Sequence, residues 1–157
     1  MAIKKNNDGF LPADTGRSLP MALLRAREVV MERFRPILSR HNITEQQWRV
    51  LRVLSETDHM EASQVARRAC ILAPSLTRII KKLKSDAYIT SRRDRRDGRR
   101  TLLAIDIKGK ALIKKVAPES SAIYARIEAA CGHDEIDELL NNLNHLQQSL
   151  RKSSRQT

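Results

Sequence analysis

Apolar residues recur along this chain at helical spacing, interrupted once by two short strand-like runs. Leu19, Leu23, Ala26, Val30, Phe34 and Ile37 return every three or four residues and predict a first helix over about Leu19 to Arg40. Pro20 suits its first turn, Ser18 is the expected cap, and Pro36 is expected to bend or shorten its far end. Thr44-Glu45-Gln46-Gln47 is a capping-box pattern that starts a second helix at Thr44, with Trp48, Leu51 and Leu54 inward and an end near Glu56. A short third helix from about Glu61 turns Val65, Ala66 and Ala69 inward. Cys70 to Ala73 makes a turn, and Pro74 opens a fourth helix where no N–H partner is needed. Tyr88–Arg92 and Thr101–Ile105 read as two short strands around a polar loop containing Gly98, a β-hairpin. Asp106 is expected to cap a long helix from Ile107 toward Ala130, kinked by Pro118. After Gly132 a last helix carries Ile136, Leu139, Leu140, Leu143, Leu146 and Leu150. Residues 1–17 have no period and read as a flexible arm. The result is a mainly α fold in the order α-α-α-α-β-β-α-α.

Composition narrows what such a fold is for. The 157 residues suit one domain with or without a dimerisation appendage. Lys and Arg number 30 against 18 Asp and Glu, a formal +12, which points to a polyanionic partner. No apolar run approaches the ~18 residues of a membrane span. The opening MAIKKNNDGF lacks the apolar core of a signal peptide, so a cytoplasmic protein without a membrane partner is expected. Phe10, Phe34, Trp48, Tyr88 and Tyr124 are too few for the stacking platforms of single-strand binders. Cys70 and Cys131 form no CxxC pair, and His41, His59, His133 and His145 have no metal-ligand spacing. Walker, GxGxxG, HExxH and GxSxG motifs are all missing, so no catalytic residue, metal or cofactor is expected and the chain does not read as an enzyme.

The fourth helix carries the most chemistry. At about 100° per residue, Leu76, Ile79, Ile80 and Leu83 share one sector. Pro74, Arg78, Lys81 and Ser85 lie opposite, flanked by Ser75, Thr77 and Lys82, with no acid before Asp86. Such a helix, a short turn after another, is what a helix-turn-helix lays in a DNA major groove. Arg78 has two donors for guanine O6 and N7, while Ser75 and Thr77 suit phosphate or a base edge. Ser63 and Gln64 on the third helix join Pro74, Lys81 and Lys82 in the expected contact set. A solvated basic face has the same pattern, and the hairpin loop decides against it. Residues 92–100 hold six Arg against two Asp, a local +4 that repels itself unless an anion is near. Arg is also the side chain favoured by a narrow minor groove, making Arg95, Arg96 and Arg99 the expected wing contacts. Asp97 is expected to pair with and orient Arg99; the bland alternative is a solvated turn of local pairs worth little. Basic helix and Arg-tipped hairpin together read as a winged helix-turn-helix over 43–106. The helix at 18–42 and those at 107–157 are the expected dimerisation elements; the bland alternative for the seam of the last helix is a single-chain helical bundle. Two-fold pairing sets two recognition helices on half-sites of a pseudo-palindromic duplex.

These residues carry a resemblance. Over about Leu19 to Arg151 the chain resembles the MarR family of winged-helix repressors, with Leu76-Thr77-Arg78 in the recognition helix and Asp97-Gly98-Arg99 at the wing. The runs Ser18–Glu28, Phe34-Arg35-Pro36, Thr44–Arg49 and Ala69–Thr77 are similar to the homoprotocatechuate-degradation branch of that family. The resemblance implies a homodimeric repressor of aromatic-catabolism genes, released from DNA by a phenolic acid held between the dimerisation helices and the winged domain. It also implies that Arg99 enters the minor groove. Asp106-Ile107-Lys108-Gly109 departs from the family's usual Leu-Thr opening, but Asp also caps helices and the same fold is expected.

An aromatic carboxylate needs an Arg for its two oxygens and an apolar slot for its ring. Arg25 and Arg49 are the first candidates, with Trp48, Phe34, Met31 and His41 as walls or phenol partners. Each Arg serves equally well in a salt bridge, and Trp48 in a core. Two other readings stand beside this one. Cys70 follows Arg67 and Arg68, whose charge favours a thiolate and hence an oxidant-sensing repressor, although a small buried thiol fits the corner without chemistry. An architectural DNA binder with no ligand is the other.

Overall fold

The computed structural model describes residues 18–153, and among them six helices and three strands follow the expected order with one addition. The elements are α1 (Leu19–Arg40), α2 (Glu45–Leu54), β1 (Met60–Glu61), α3 (Ala62–Arg68), α4 (Ala73–Ser85), β2 (Ile89–Arg93), β3 (Thr101–Ile105), α5 (Ile107–Cys131) and α6 (His133–Ser153). The arm expected over 1–17 lies outside the described residues. β1 is the addition: two residues are too short to show a period, yet Met60 pairs with Leu103 and Glu61 with Leu102, making the sheet order β1-β3-β2. In the hairpin Ile89 faces Ile105 and Arg93 faces Thr101, so β2 begins one residue later than Tyr88.

Helix starts follow local chemistry. The Thr44 hydroxyl accepts the Gln47 N–H at 3.2 Å while the Gln47 side-chain oxygen accepts the Thr44 N–H at 2.9 Å, satisfying two donors that the first turn leaves open. Thr44→Ala is expected to cost about 0.5–2 kcal/mol, measured as a lower denaturation midpoint at unchanged m-value. Ser18 takes the cap position of α1, but its side chain makes no capping bond. α2 ends at Leu54, short of Glu56; α3 starts after Glu61, and α4 starts at Ala73 with Pro74 already inside it. Pro36 does not shorten α1, which runs on to Arg40.

Three helices end alike, and none ends on glycine. Asn42, Cys70 and Ala87 take φ of 53°, 51° and 60°, and the next residue's N–H reaches back five residues each time. The bonds are Ile43 to Leu38 (3.0 Å), Ile71 to Ala66 (2.9 Å) and Tyr88 to Leu83 (2.9 Å). This is the Schellman arrangement, sealed by an apolar residue after the turn: Ile43 and Ile71 are buried and Tyr88 half-buried. A left-handed residue with a Cβ costs roughly 1–2 kcal/mol, which that burial offsets. The turn leaves Cys70 exposed, contrary to the expectation of a buried corner thiol, because Ile71 takes the inward place.

The first compact unit runs to Val116. Leu51 and Leu54 of α2, Val65 of α3, Leu83 of α4 and Leu103 of β3 are sealed from solvent in its core. Ala66, Ile80 and Trp48 are only half-buried, and Leu19, Leu23 and Val30 of α1 stay exposed. At the start of α5, a Cβ on Gly109 would lie 2.3 Å from the Tyr88 carbonyl oxygen and 2.8 Å from Ile105 Cγ1. Only glycine lets that turn close on the base of the hairpin, where the Tyr88 carbonyl also accepts the Asp106 N–H at 2.9 Å. The second unit begins at Ala117, beside Pro118, whose ring nitrogen has no hydrogen to donate within α5. Gly132, at φ 94°, separates α5 from α6.

Candidate nucleic-acid interface

The inward side of α4 is Leu76, Ile79 and Leu83, all buried, with Ile80 half-buried. That fixes the opposite side outward: Pro74, Arg78, Lys81 and Ser85 are exposed. Among the described residues, the Arg78 and Lys81 side chains are held by no hydrogen bond or ion pair. Other members of the expected contact set are engaged within the chain. Lys82 Nζ lies 2.9 Å from Asp86 Oδ1, the Thr77 hydroxyl donates to the Ala73 carbonyl at 3.2 Å, and the Ser63 hydroxyl donates to Glu61 Oε1 at 2.8 Å. Ser75 is half-buried and Gln64 exposed.

The wing tip is a tight, hydrogen-bonded loop. The Asp94 N–H donates to the Arg100 carbonyl and the Arg100 N–H to the Asp97 carbonyl, both at 2.9 Å. Asp94 Oδ1 accepts the Arg96 N–H at 2.8 Å, a bond that holds the Asp94 carboxyl below its ordinary range against the opposing effect of burial. Asp97 does not pair with the Arg99 side chain as expected. Its Oδ1 accepts the Arg99 backbone N–H at 3.0 Å, and its Oδ2 faces Arg100 Nε at 3.3 Å. Arg100 also lies 3.8 Å from Glu61, and Arg93 donates to the Gly98 carbonyl at 2.7 Å. Two guanidinia therefore brace the loop. Arg92, Arg95, Arg96 and Arg99 have side chains without such a brace among the described residues, concentrating positive charge at the tip.

Contacts around the helix corner position these cations. Arg49 Nη1 donates to the Cys70 carbonyl at 3.3 Å, steadying the left-handed turn before α4, while its Nε is buried with no hydrogen-bond partner. Arg68 pairs with Glu56. Lys108 Nζ donates to the Asp86 carbonyl at 2.7 Å and sits 4.8 Å over the Tyr88 ring, tying the end of α4 to the start of α5. Of the other ligand candidates, Met31, Phe34, His41 and Trp48 are half-buried, and Arg25 is exposed and engaged within the chain.

One cluster escaped the sequence reading. Arg27 and Arg35 of α1 both bind Glu28 of α1 and Glu45, the first residue of α2. Glu28 and Arg35 stand two helical turns apart and meet at 2.6 Å, and Arg27 reaches Glu28 at 2.8 Å and Glu45 at 2.5 Å. The seven-residue spacing was a visible signal; the partner on α2 was not. Donating hydrogen bonds to Glu28 and then to Glu45 raises the Arg35 pKa. At Glu45 burial pushes the pKa up, but the hydrogen bonds from Arg35 and Arg27 outweigh it and leave the carboxyl below 4.5. A folded-state pKa below the unfolded value stabilises above that unfolded value and fades as pH falls through the folded one. The stability difference between the native chain and Glu45→Gln is therefore expected to shrink as pH drops below 4.5. Parallel stability curves through that window would remove the cluster's role.

Among the described residues, no three His, Cys, Asp or Glu gather as metal ligands, and no helix is long and apolar enough to cross a membrane. Two basic surfaces, α4 and the wing, on one helical core define the chain as a winged-helix protein. The model of the MarR family matches residues 43–101. The homoprotocatechuate degradative operon repressor of Escherichia coli is 39% identical over 126 residues, covering 80% of this chain and 85% of that one. FarR of Neisseria gonorrhoeae, an HTH-type transcriptional regulator, is 36% identical over 119 residues, 76% of this chain and 82% of its own. Among solved structures, NadR in complex with 4-hydroxyphenylacetate superposes with a TM-score of 0.75 at 36% identity, over 82% of this chain and 92% of that one. The chain belongs to the MarR family. Its relatives are transcriptional regulators, not enzymes.

Proposed function

We propose that this protein is a homodimeric, sequence-specific DNA-binding repressor of aromatic-catabolism genes that leaves its operator when a phenolic acid binds. The observation that carries the DNA reading is the pair of unbraced cationic groups, Arg78 and Lys81 on α4 and Arg92, Arg95, Arg96 and Arg99 at the wing. In this reading α4 enters the major groove, Arg78 reads guanine, and Arg99 enters the minor groove. Ser63, Gln64, Ser75, Lys81 and Lys82 serve phosphates, with Lys82 exchanging its exposed Asp86 partner for one. The dimer rests on apolar surface that a single chain leaves open. α6 buries none of its residues, and Leu139, Leu140 and Leu150 remain more than half exposed, as do Leu19, Leu24 and Val29 of α1. Segments 18–42 and 107–157 then pair the copies, and 43–106 reads a pseudo-palindromic cytoplasmic operator.

The ligand class comes from the relatives: one represses a homoprotocatechuate operon and another holds 4-hydroxyphenylacetate, both aromatic acids bearing phenols. Arg49 fits a carboxylate because its buried Nε lacks an acceptor, a deficit worth roughly 1–3 kcal/mol when unmet. Met31, Phe34, Trp48, His41 and Arg25 supply the remaining walls and polar partners. Such a ligand must bind the DNA-incompetent dimer more tightly, and DNA must then weaken ligand binding by the same factor. Exposure of Cys70 beside Arg67 and Arg68 supports an oxidant-sensing alternative. The test is fluorescence anisotropy on a labelled duplex from upstream of the gene, against scrambled DNA at fixed salt. Phenolic acids, their coenzyme A esters and peroxide are added in turn. Release by one phenolic acid supports the proposal. Release by peroxide alone, abolished in Cys70→Ser, replaces it with thiol sensing, and specific binding that nothing weakens leaves an architectural binder.

A further inference from the structure

Leu72 stands at the N-cap of α4 with 79% of its surface exposed. Folding gives no reason for it. A polar cap stabilises a helix start by about 1 kcal/mol, and Leu72 makes no capping bond while leaving a large apolar side chain in water. The next residues, Ala73 and Pro74, are exposed as well. One turn on, the Thr77 hydroxyl has committed its hydrogen to the Ala73 carbonyl. Apart from the half-buried Ser75, the leading edge of α4 is thus carbon-rich until Arg78. Its surroundings are cationic: from Ala62 to Ser85 there is no acid, and Arg67, Arg68, Arg78, Lys81, Lys82 and Lys84 all fall in that span. An exposed apolar patch in a stretch that holds six cations and no acid suits a polyanion that carries an apolar feature of its own. On the edges of duplex DNA in the major groove that feature is the thymine 5-methyl group.

We propose that Leu72 reads a thymine methyl group in the major groove, flanked by Ala73 and Pro74, as a specificity contact beside that of Arg78. The inference rests on the DNA-binding reading above and adds to it a base preference that polar contacts do not supply. In HTH proteins the first residues of the recognition helix meet the base edges, which is where this patch lies.

The experiment starts from a duplex selected from a random library by the full-length protein. Each thymine is replaced singly by deoxyuridine, which deletes the methyl group and leaves every hydrogen-bonding group in place. Affinities are compared at fixed salt for the native chain, Leu72→Ala and Leu72→Met. At one position per half-site the native chain is expected to lose roughly fourfold, the worth of one buried methyl-sized group. Leu72→Ala should be indifferent to the same replacement, and Leu72→Met should regain sensitivity. If every thymine replacement affects native and Leu72→Ala proteins equally, the inference is wrong while DNA binding stands. If no duplex is selected over scrambled DNA, the DNA-binding reading fails and takes this contact with it.

Discussion

Leu103→Ala is expected to cost about 2–5 kcal/mol of folding stability, the range for a buried leucine whose cavity cannot collapse. Leu103 has no solvent exposure and sits on the central strand, paired with Met60 of β1 and Ser91 of β2. β3 also packs on α2 and α3, so the strands and helices around the vacated volume are tied to one another and cannot easily move in. Total stabilities of about 5–15 kcal/mol make such a loss a large share of the whole. Denaturant unfolding measures it as a lower midpoint at unchanged m-value, with Leu139→Ala, more than half exposed on α6, as the comparison under conditions that keep the chain monomeric. Leu139→Ala should then stay within about 0.5 kcal/mol of the native chain. A Leu103→Ala cost no larger than that would mean β3 is not the centre of the core.

Much of this architecture was legible because it is local. The Thr44–Gln47 capping box needs only four residues, and the sector of Leu76, Ile79 and Leu83 needs only the helical period, so both were readable without knowing what they face. The wing was legible through charge: six arginines in nine residues have few uses. What escaped depends on distant partners. β1 exists because Met60 meets Leu103, more than forty residues away. Gly109 is obligatory because the Tyr88 carbonyl passes 2.3 Å from where its Cβ would sit, a constraint invisible along the chain. Asn42, Cys70 and Ala87 hold left-handed turns that glycine normally marks, and the burial of the following residue sustains them. Cys70 is exposed for the same reason: its apolar neighbours suggest a buried thiol, but the turn gives the inward place to Ile71. The α1 and α6 seams were readable as amphipathic, but period alone does not identify what covers Leu24 or Leu140.

Arg78→Ala and Arg99→Ala are expected to weaken operator binding in distinguishable ways. Arg78 is exposed on α4, opposite the buried Leu76 and Leu83, where two donors can meet guanine. Its loss should cost about 1–3 kcal/mol and relax the preference at one position in each half-site, leaving the rest of the sequence preference intact. Arg99 extends from a loop whose backbone is fixed by Asp97 and by the Arg100-to-Asp97 bond. Its removal deletes charge at the wing tip without loosening the turn, since only its backbone N–H takes part. Affinity should fall across sequences alike, and the slope of log affinity against log salt should become shallower by about 0.9 for each phosphate no longer neutralised. Lys82→Ala is the internal comparison. Lys82 already faces Asp86 at 2.9 Å, so its charge is partly cancelled before DNA arrives and its slope change should be smaller than that of Arg99. Titrating each variant over a range of salt on operator and scrambled duplexes separates these outcomes. An unchanged slope for Arg99→Ala removes Arg99 from the interface and leaves the wing contact to Arg92, Arg95 and Arg96, and an unchanged base preference for Arg78→Ala moves base reading elsewhere on α4, with Leu72 and Ser75 the next positions at its leading edge.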